Sequence, residues 1–406
     1  MNDQPNRATR GAATALSRPK IVVLAPHYLP GYRAGGPIRS IANIVAALGD
    51  ELDCRIVTRD RDVGSATPYP GITTDRWSDH HGTPVFYASA QSLTVSRLGG
   101  IIRDAAPDVV YLNSVFDPRF SIRPLVARRL GLTGRAVRWI IAPRGEFSAG
   151  AIGLKRWKKR PYLTAARGAG LFRGITWQAS TEHEQEDIER ELSVDRRAIH
   201  VAQNLTEPVG ELGPPAAPST ALDHLRICFL SRISPMKNLE YAIDAVQRAR
   251  CPVQFDIYGP IEDPAYGEKC KARMAVGSHR TNIAWKGDVP HHAVRGVLAG
   301  YDLFLFPTLG ENFGHAIFES LAAGVPVLIS DRTPWLDLDQ RGVGWVRSLD
   351  DPNGFTSVIE AAAALTPAQR RAMALRAHDY ARALATSSTA LAANRALFHP
   401  SLPPPA

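Results

Sequence analysis

Short apolar runs alternate with segments of helical periodicity along most of the chain. Residues 21–25 form a run of strand length, and in residues 38–48 the apolar positions recur every three or four residues. This alternation is typical of βαβ units and predicts parallel sheets. Further strands are predicted in the first half at residues 54–58, 85–88, 109–113, 139–142 and 174–179.

The same pattern restarts after residues 206–221, a segment rich in proline, glycine and alanine that is typical of a linker. Beyond it we predict strands at residues 227–230, 254–258, 283–285, 303–306 and 327–329, and helices at 239–249, 294–299, 315–322 and 352–364. Two such blocks predict an α/β protein of two Rossmann-like domains whose parallel sheets face a central cleft. Ligands of such sheets lie beyond the carboxyl ends of the strands.

The pattern also divides the chain. We expect a disordered tail at residues 1–19, a first domain at 20–205, the linker at 206–221 and a second domain at 222–385. The last helical stretch, residues 367–398, is long, and we expect its end, residues 386–398, to pack back onto the first domain. A chain of 406 residues is long enough for two domains.

Several classes of protein are disfavoured. No segment approaches the roughly 20 apolar residues of a membrane helix, and the polar first 20 residues lack the apolar core of a secretory signal. The four cysteines form no CxxC pair, which argues against a disulfide framework or a cysteine metal site. These features fit a cytoplasmic protein.

The net charge of +9 is concentrated in the first half, where residues 1–205 hold 29 basic and 19 acidic residues. Residues 119–173 hold 14 basic residues and one acid, Glu146. A field of this sign attracts phosphates, so the partner could be a nucleic acid, an anionic membrane surface or an acidic substrate.

The most distinctive motif is GENFGHAIFE at residues 310–319. A strand is predicted to end near Pro307 and a helix to begin near Gly314, where unpaired backbone N–H groups suit an anion or a sugar hydroxyl. Eight helical residues return to within roughly 80° of the starting direction, so Glu311 and Glu319 could face one ligand. Paired carboxylates can accept hydrogen bonds from vicinal hydroxyls. The alternative is an acid at a helix start and a second on a solvated face.

Two other loops enter predicted helices. Arg232 and Lys237 follow the first strand of the second block and could clamp a diphosphate, although ordinary surface charge is the alternative. Gly35 and Gly36 precede the helix at residue 38, and glycines allow a backbone to approach a ligand closely. The alternative there is a plain turn, since neither GxGxxG nor a P-loop motif occurs.

In combination, these motifs resemble the family 4 retaining glycosyltransferases, group 1 glycosyl transferases of GT-B fold. The resemblance extends from residue 21 to about residue 385 and is strongest at 230–238 and 306–327. It implies that Glu311 contacts the donor sugar and Glu319 the ribose, while Arg232 and Lys237 hold the nucleotide phosphates.

The resemblance also implies roles for backbone positions. Gly35 and Gly36 correspond to the glycine-rich loop of the first domain. Backbone groups of Asn312, Phe313 and Gly314 would complete the sugar and phosphate site. The stretch containing Gly287 and Val289 would bind the base.

One position departs from the family pattern. Many members place a histidine near the sugar, in the first domain after a strand, where this chain has Arg144. The role could belong to Arg144, Glu146 or His27, and Arg144 could instead belong to the basic surface. The other histidines show no HExxH spacing. The resemblance implies no obligatory metal or cofactor, because cationic side chains and helix starts neutralise the diphosphate.

The implied reaction is transfer of a sugar from a nucleotide diphosphate sugar to a hydroxyl, on a lipid-linked saccharide in polysaccharide or cell-envelope glycan synthesis. Residues 155–162, KRWKKRPY, combine cations with two aromatic residues, which suits an anionic lipid surface. We therefore expect a polyprenyl-diphosphate-linked acceptor and peripheral contact, through residues 119–173, with the inner face of the cytoplasmic membrane. A solvated helix face is the alternative.

Three other functions stay open at this stage. A nucleic-acid-binding protein would use the basic segment, but it leaves the glutamate pair and the near-neutral second half without a role. An epimerase or hydrolase of GT-B fold would consume the donor without an acceptor. An inactive module would bind the donor without turnover.

Overall fold

The structure, a computed structural model, describes residues 18–134, 137–153, 156–212, 224–276, 280–351 and 353–399. Most of the expected tail at 1–19 and the end of the expected linker at 206–221 lie outside these residues. Within them the chain forms two α/β domains with a cleft between them. None of the described helices combines the length and apolar character needed to cross a bilayer.

An eight-stranded sheet forms the centre of the first domain. Its strands are β1 Lys20–Leu24, β2 Asp53–Arg59, β3 Trp77–His80, β4 Thr83–Ala88, β5 Val109–Leu112, β6 Arg138–Ile141, β7 Ile175–Ala179 and β8 Ile199–Val201. Their order in space is β3-β4-β2-β1-β5-β6-β7-β8. The accompanying helices are α1 Gly36–Leu48, α2 Val95–Ala105, α3 Arg123–Arg129, α4 Ala149–Gly153, α5 Arg156–Gly168 and α6 Glu182–Leu192.

The second domain contains a six-stranded sheet in the order β11-β10-β9-β12-β13-β14. Its strands are β9 Leu225–Leu230, β10 Val253–Tyr258, β11 Thr281–Gly287, β12 Leu303–Phe306, β13 Val327–Ser330 and β14 Gly344–Arg347. The helices are α7 Leu239–Arg248, α8 Pro264–Ala275, α9 His291–Leu298, α10 His315–Ala322, α11 Leu338–Arg341, α12 Gly354–Ala363, α13 Pro367–Ala385 and α14 Ser388–Phe398.

The central strands are apolar because helices cover both faces of each sheet. β1 pairs in parallel with β2 on one side and β5 on the other, and β9 pairs in the same way with β10 and β12. The strand order therefore reverses beside β1 and beside β9. At such switch points the loops beyond the strand ends diverge and leave a crevice for a ligand.

The predicted α/β fold with two parallel sheets is confirmed, with one departure. β3 pairs antiparallel with β4, so that Trp77 lies opposite Phe86 at the edge of the first sheet. Sequence reasoning missed β3, β8 and β14 because each is only three or four residues long and mostly half-exposed. The helix predicted at residues 315–322 coincides with α10.

The chain end crosses from the second domain to the first. Residues 367–398 form two helices rather than one, since α13 ends at Ala385 and the Ser387 side chain caps α14. α13 packs on α10 of the second domain. Leu397 and Phe398 of α14 are buried in a cluster with Ile21 and Val23 of β1. The last helix therefore completes the core beneath the first sheet.

We predict that Phe398→Ala destabilises the protein by about 3–5 kcal/mol, because the fully buried ring packs edge to face on Tyr111 and its removal leaves a cavity. Denaturant unfolding followed by tryptophan fluorescence measures the change. Arg395→Ala on the exposed side of the same helix is the control and should leave the midpoint almost unchanged. Equal effects of the two substitutions would contradict the packing role.

Candidate active site

A cavity of about 610 Å³ opens between the two domains. This volume is within the range of small-molecule sites. Most of the residues predicted for donor binding or catalysis line it: Gly35, Gly36, Arg144, Arg232, Lys237, Val289, Glu311, Asn312, Phe313, Gly314 and Glu319. Tertiary structure therefore brings together residues that are up to 284 positions apart in the sequence. Their individual roles stay predictions.

Two helix N-termini converge on this cavity. α1 begins after Gly35 (φ 68°) and α10 after Gly314 (φ 83°), and both glycines have the left-handed backbone that favours this residue. Among the described residues, no side chain caps either helix. A Cβ on Gly36 would lie 3.2 Å from the His315 ring, so the two helix starts are in close approach. Uncapped N–H groups and two positive dipole ends suit an anion at this place.

Lys237 and Glu311 form an ion pair at the wall of the cavity. Their side chains are only 12% and 13% exposed, and the Thr308 hydroxyl lies 3.5 Å from the Glu311 carboxylate. Lys237 ends a 3₁₀ turn, Pro235–Lys237, directly after β9. An incoming phosphate can replace the carboxylate as the partner of Lys237. Glu311 would then have its oxygens available to accept hydrogen bonds from a sugar.

Arg232 approaches the same space from the loop after β9. Its guanidinium pairs with Glu262 at 2.8 Å, and both side chains are partly exposed. A Cβ on Gly35 would lie 4.0 Å from Arg232 Nε, so the arginine faces the start of α1. An exposed ion pair of this kind contributes little stability. Arg232 can therefore exchange Glu262 for a phosphate at small cost.

Glu319 is held by groups that sequence reasoning left without a role. His291 Nε2 lies 3.1 Å from Glu319 Oε1, and His291 Nδ1 lies 3.9 Å from Glu207. Glu207 also pairs with Arg39 of α1. The sequence did contain a signal for His291. This residue begins a helix and lies two residues after Val289, in the stretch that resembles the base-binding segment. The network fixes the second carboxylate between the domains.

Arg144 occupies a left-handed conformation, with φ of 56°. Its guanidinium donates to the Tyr111 hydroxyl at 2.5 Å, to Asn113 Oδ1 at 3.0 Å and to Asn204 Oδ1. Polar groups of the first domain thus fix this cation at the wall of the cavity. Among the three candidates for the family's histidine position, Arg144 is the one that brings a guanidinium to the cavity lining.

Of the other two candidates for that role, Glu146 also lines the cavity, but its carboxylate is engaged within the first domain. The buried Glu146 carboxylate accepts from Ser114 Oγ at 2.8 Å and from the Val115 N–H at 2.6 Å, and burial raises its pKa. His27 is absent from the described residues that line the cavity, and burial lowers its pKa. Gly287 also lies outside the lining, where its carbonyl accepts from the Gly259 N–H.

His315 is a cavity residue that sequence reasoning passed over, although it lies inside the 310–319 motif. As the first residue of α10 it reaches the other domain, with Nε2 3.0 Å from Ser40 Oγ of α1. Burial, reinforced by Arg144 and Arg39, lowers the pKa of His315 to about 3. The imidazole is therefore neutral near pH 7 and joins the two helix starts without adding charge.

Sequence comparison identifies the second domain. Residues 224–364 match the family model Glycosyl transferases group 1. The chain carries a glycosyl transferases group 1 domain. It is also similar to the GtfA subunit of the UDP-N-acetylglucosamine–peptide N-acetylglucosaminyltransferase of Streptococcus gordonii, with 26% identity over 129 residues, 31% of this chain. The match spans 24% of that relative, about a quarter of its length.

Structural comparison extends the likeness beyond the glycosyl transferases group 1 domain to both domains. Anabaena Alr3699/HepE, in complex with UDP and glucose, has a TM-score of 0.68 and 15% identity, over 93% of this chain and 98% of that one. WaaG, a glycosyltransferase involved in lipopolysaccharide biosynthesis, has a TM-score of 0.62 and 14% identity, over 93% and 98%. At such identities the likeness shows the fold, which is GT-B.

We predict that His315 makes the protein less stable at mildly acidic pH. Because its pKa is lowered in the folded state, the unfolded chain binds the proton more readily, and stability is lost as the pH falls below about 6.5. Between pH 7 and pH 5 this group accounts for a loss of about 2 kcal/mol. Denaturant unfolding of wild type and His315→Gln at both pH values measures it. Identical pH dependence in the two proteins would contradict the prediction.

Proposed function

We propose that this chain is a retaining glycosyltransferase of family 4 that transfers a sugar from a nucleotide diphosphate sugar to an acceptor hydroxyl. The observation that carries the proposal is the meeting of two uncapped helix N-termini with two cations and two carboxylates in one cavity. The two helix N-termini and the two cations suit a diphosphate. The two carboxylates can accept hydrogen bonds from the hydroxyls of a sugar and a ribose. The glycosyl transferases group 1 match over residues 224–364 supports the same reaction class.

The donor would lie along the cavity with its diphosphate between Gly35 and Gly314. Arg232 and Lys237 would bind the phosphates, in exchange for Glu262 and Glu311. The sugar would then contact Glu311 and the backbone at 312–314. The ribose would contact Glu319, and the base would contact Val289. The UDP and glucose named for Anabaena HepE support a UDP-sugar as the first donor to test.

In the proposed reaction the bond between the anomeric carbon and the diphosphate oxygen breaks, and the acceptor oxygen forms the new bond on the same face. Negative charge grows on the departing diphosphate, where Arg232, Lys237 and the two helix starts stabilise it. The acceptor's proton passes to the leaving phosphate, so a separate base is not required. We propose that these groups neutralise the charge of the departing diphosphate and that no metal is obligatory.

The acceptor side of the proposal rests on α4 and α5. Ser148 and Ala151 line the cavity, and the chain continues into α5, where Trp157 is 75% exposed and Lys158 Nζ lies 4.6 Å from its ring centroid. An exposed tryptophan among cations suits the headgroup level of an anionic bilayer. We therefore propose a polyprenyl-diphosphate-linked saccharide acceptor at the cytoplasmic face of the membrane, in polysaccharide or cell-envelope glycan synthesis. WaaG's role in lipopolysaccharide biosynthesis supports this class.

Three arginines of the basic segment at 119–173 make hydrogen bonds within the first domain. Arg123, Arg128 and Arg129 each donate to a backbone carbonyl, of Leu93, Arg173 and Ala169 respectively. These arginines join α2, α3 and the end of α5 within the domain. We centre the proposed membrane contact on the exposed side of α5, where Trp157 and Lys158 lie.

Lys237→Ala and Glu311→Gln should each lower kcat/KM for sugar transfer by about 100-fold or more, because each removes a charged contact to the donor. Transfer from a UDP-sugar panel to lipid extract measures the effect. Lys271→Ala and Glu268→Gln, an exposed pair on α8, are matched controls that should retain activity. Near-normal transfer by Lys237→Ala and Glu311→Gln would refute the assignment. Donor consumption that is independent of acceptor would favour a hydrolase or epimerase.

Trp157→Ala and the double charge reversal Lys158→Glu with Arg160→Glu should reduce binding to vesicles containing phosphatidylglycerol, by about tenfold for the charge reversal at low salt. Co-sedimentation measures the bound fraction. Lys269→Glu with Lys271→Glu on α8 is a control of equal charge change. Equal loss in the two charge reversals, or no vesicle binding by wild type, would contradict the membrane contact.

A further inference from the structure

We infer that Glu184 is a positioning residue that docks the first domain onto the donor loop of the second. It lies in α6, behind the residues that line the cavity, and no motif in the sequence pointed to it. The inference deepens the proposed function, because the two segments that Glu184 joins carry Arg144 and Glu311.

The Glu184 carboxylate accepts several hydrogen bonds within the first domain. The residue is only 4% exposed, and its carboxylate accepts from the Gly145 N–H at 2.6 Å. It also accepts from the N–H and the hydroxyl of Ser180, both at 2.7 Å. Hydrogen bonds to a buried charge are among the stronger ones, and an unpaired buried carboxylate is costly. The carboxylate thus fixes the Arg144–Gly145 turn against the end of β7.

The same carboxylate reaches across the cleft. With its side-chain amide oriented so that the nitrogen faces the carboxylate, Asn312 donates to Glu184 Oε2 and to Ser180 Oγ, both at 2.8 Å. Asn312 lies between Glu311 and Phe313, in the loop after β12. A single buried charge of the first domain therefore binds the loop that carries the donor-facing carboxylate of the second.

Close approach of the two backbones accompanies this contact. A Cβ on Gly145 would lie 2.9 Å from Asn312 Cβ, shorter than real side chains allow. Gly145 also has φ of 78°, which only glycine adopts readily. Both observations indicate that the turn is shaped to receive Asn312. Docking of Asn312 sets the position of Arg144 relative to Glu311.

Because Glu184 lies behind the cavity lining, its loss should affect the geometry of the reacting groups more than the affinity for the donor. Glu184→Gln keeps the size of the side chain but replaces one carboxylate oxygen with an NH₂ group. That group cannot accept a hydrogen bond, so it faces an N–H of Gly145 or Asn312 without forming one. A displacement of about 1 Å at a reacting centre can cost about 100-fold in rate. We expect kcat to fall about 10- to 100-fold, with the donor Kd changed less than threefold.

A double-mutant cycle separates positioning from simple stabilisation of the first domain. Glu184→Gln, Asn312→Ala and the double variant are compared in kcat, with donor Kd measured by calorimetry. The double variant should be no slower than Asn312→Ala within threefold, since one contact is lost in both. The inference would be overturned if the kcat reductions of the two single variants multiplied in the double variant. It would also be overturned if the variants weakened only the binding of the donor. Glu186→Gln, exposed on the same helix, is the matched control and should behave like wild type.

Amide hydrogen exchange of the full chain without ligand tests the docking itself. Glu184→Gln should accelerate exchange in peptides covering both 143–147 and 311–314, which belong to different domains. Asn312→Ala should do the same from the opposite side. Acceleration limited to 143–147 would overturn the inference even if transfer activity is found. Absence of transfer by wild type with every donor would refute the proposed function, while the exchange result would still decide the domain contact.

Discussion

Two helix N-termini that face one another across the cleft set the geometry of the candidate site. Each belongs to a different domain, and each is preceded by a glycine with positive φ and lacks a side-chain cap among the described residues. Their unpaired N–H groups and dipoles favour an anion between them. The neutral His315 imidazole, bonded to Ser40, holds the two starts together without competing for that anion. In the proposed function, this anion is the diphosphate of the donor.

The charged groups around this centre are paired with carboxylates that a donor can replace. Lys237 pairs with Glu311, and Arg232 with Glu262. In the proposed function, a phosphate would replace the carboxylate at each cation and would leave Glu311 available to the sugar. Glu319 belongs to neither of these pairs and is bonded to His291 instead. Binding and alignment would thus be parts of one rearrangement.

Contacts between the domains act on the same few loops. α14 extends from the second domain into the core under β1, and Asn312 reaches Ser180 and Glu184 from the loop after β12. These contacts bind the domains at the chain end and at the floor of the cavity. The Arg144–Gly145 turn and the Glu311–Asn312 loop consequently meet where the proposed reaction would take place.

The sequence by itself determined the two α/β blocks, the start of α10 and the glutamate pair, because strand, turn and helix signals and an eight-residue spacing are local properties. It also placed Arg232, Lys237 and the two glycines at loops beyond strand ends. Only the tertiary structure assigned partners to Arg39, Asn312 and His315, since those partners are distant in the chain. Arg39 and Glu207 are 168 residues apart, Ser40 and His315 are 275 apart, and Ser180 and Asn312 are 132 apart. No local pattern encodes which of many buried polar residues will meet across a cleft. That choice is made when the sheets pack and bring their switch points together.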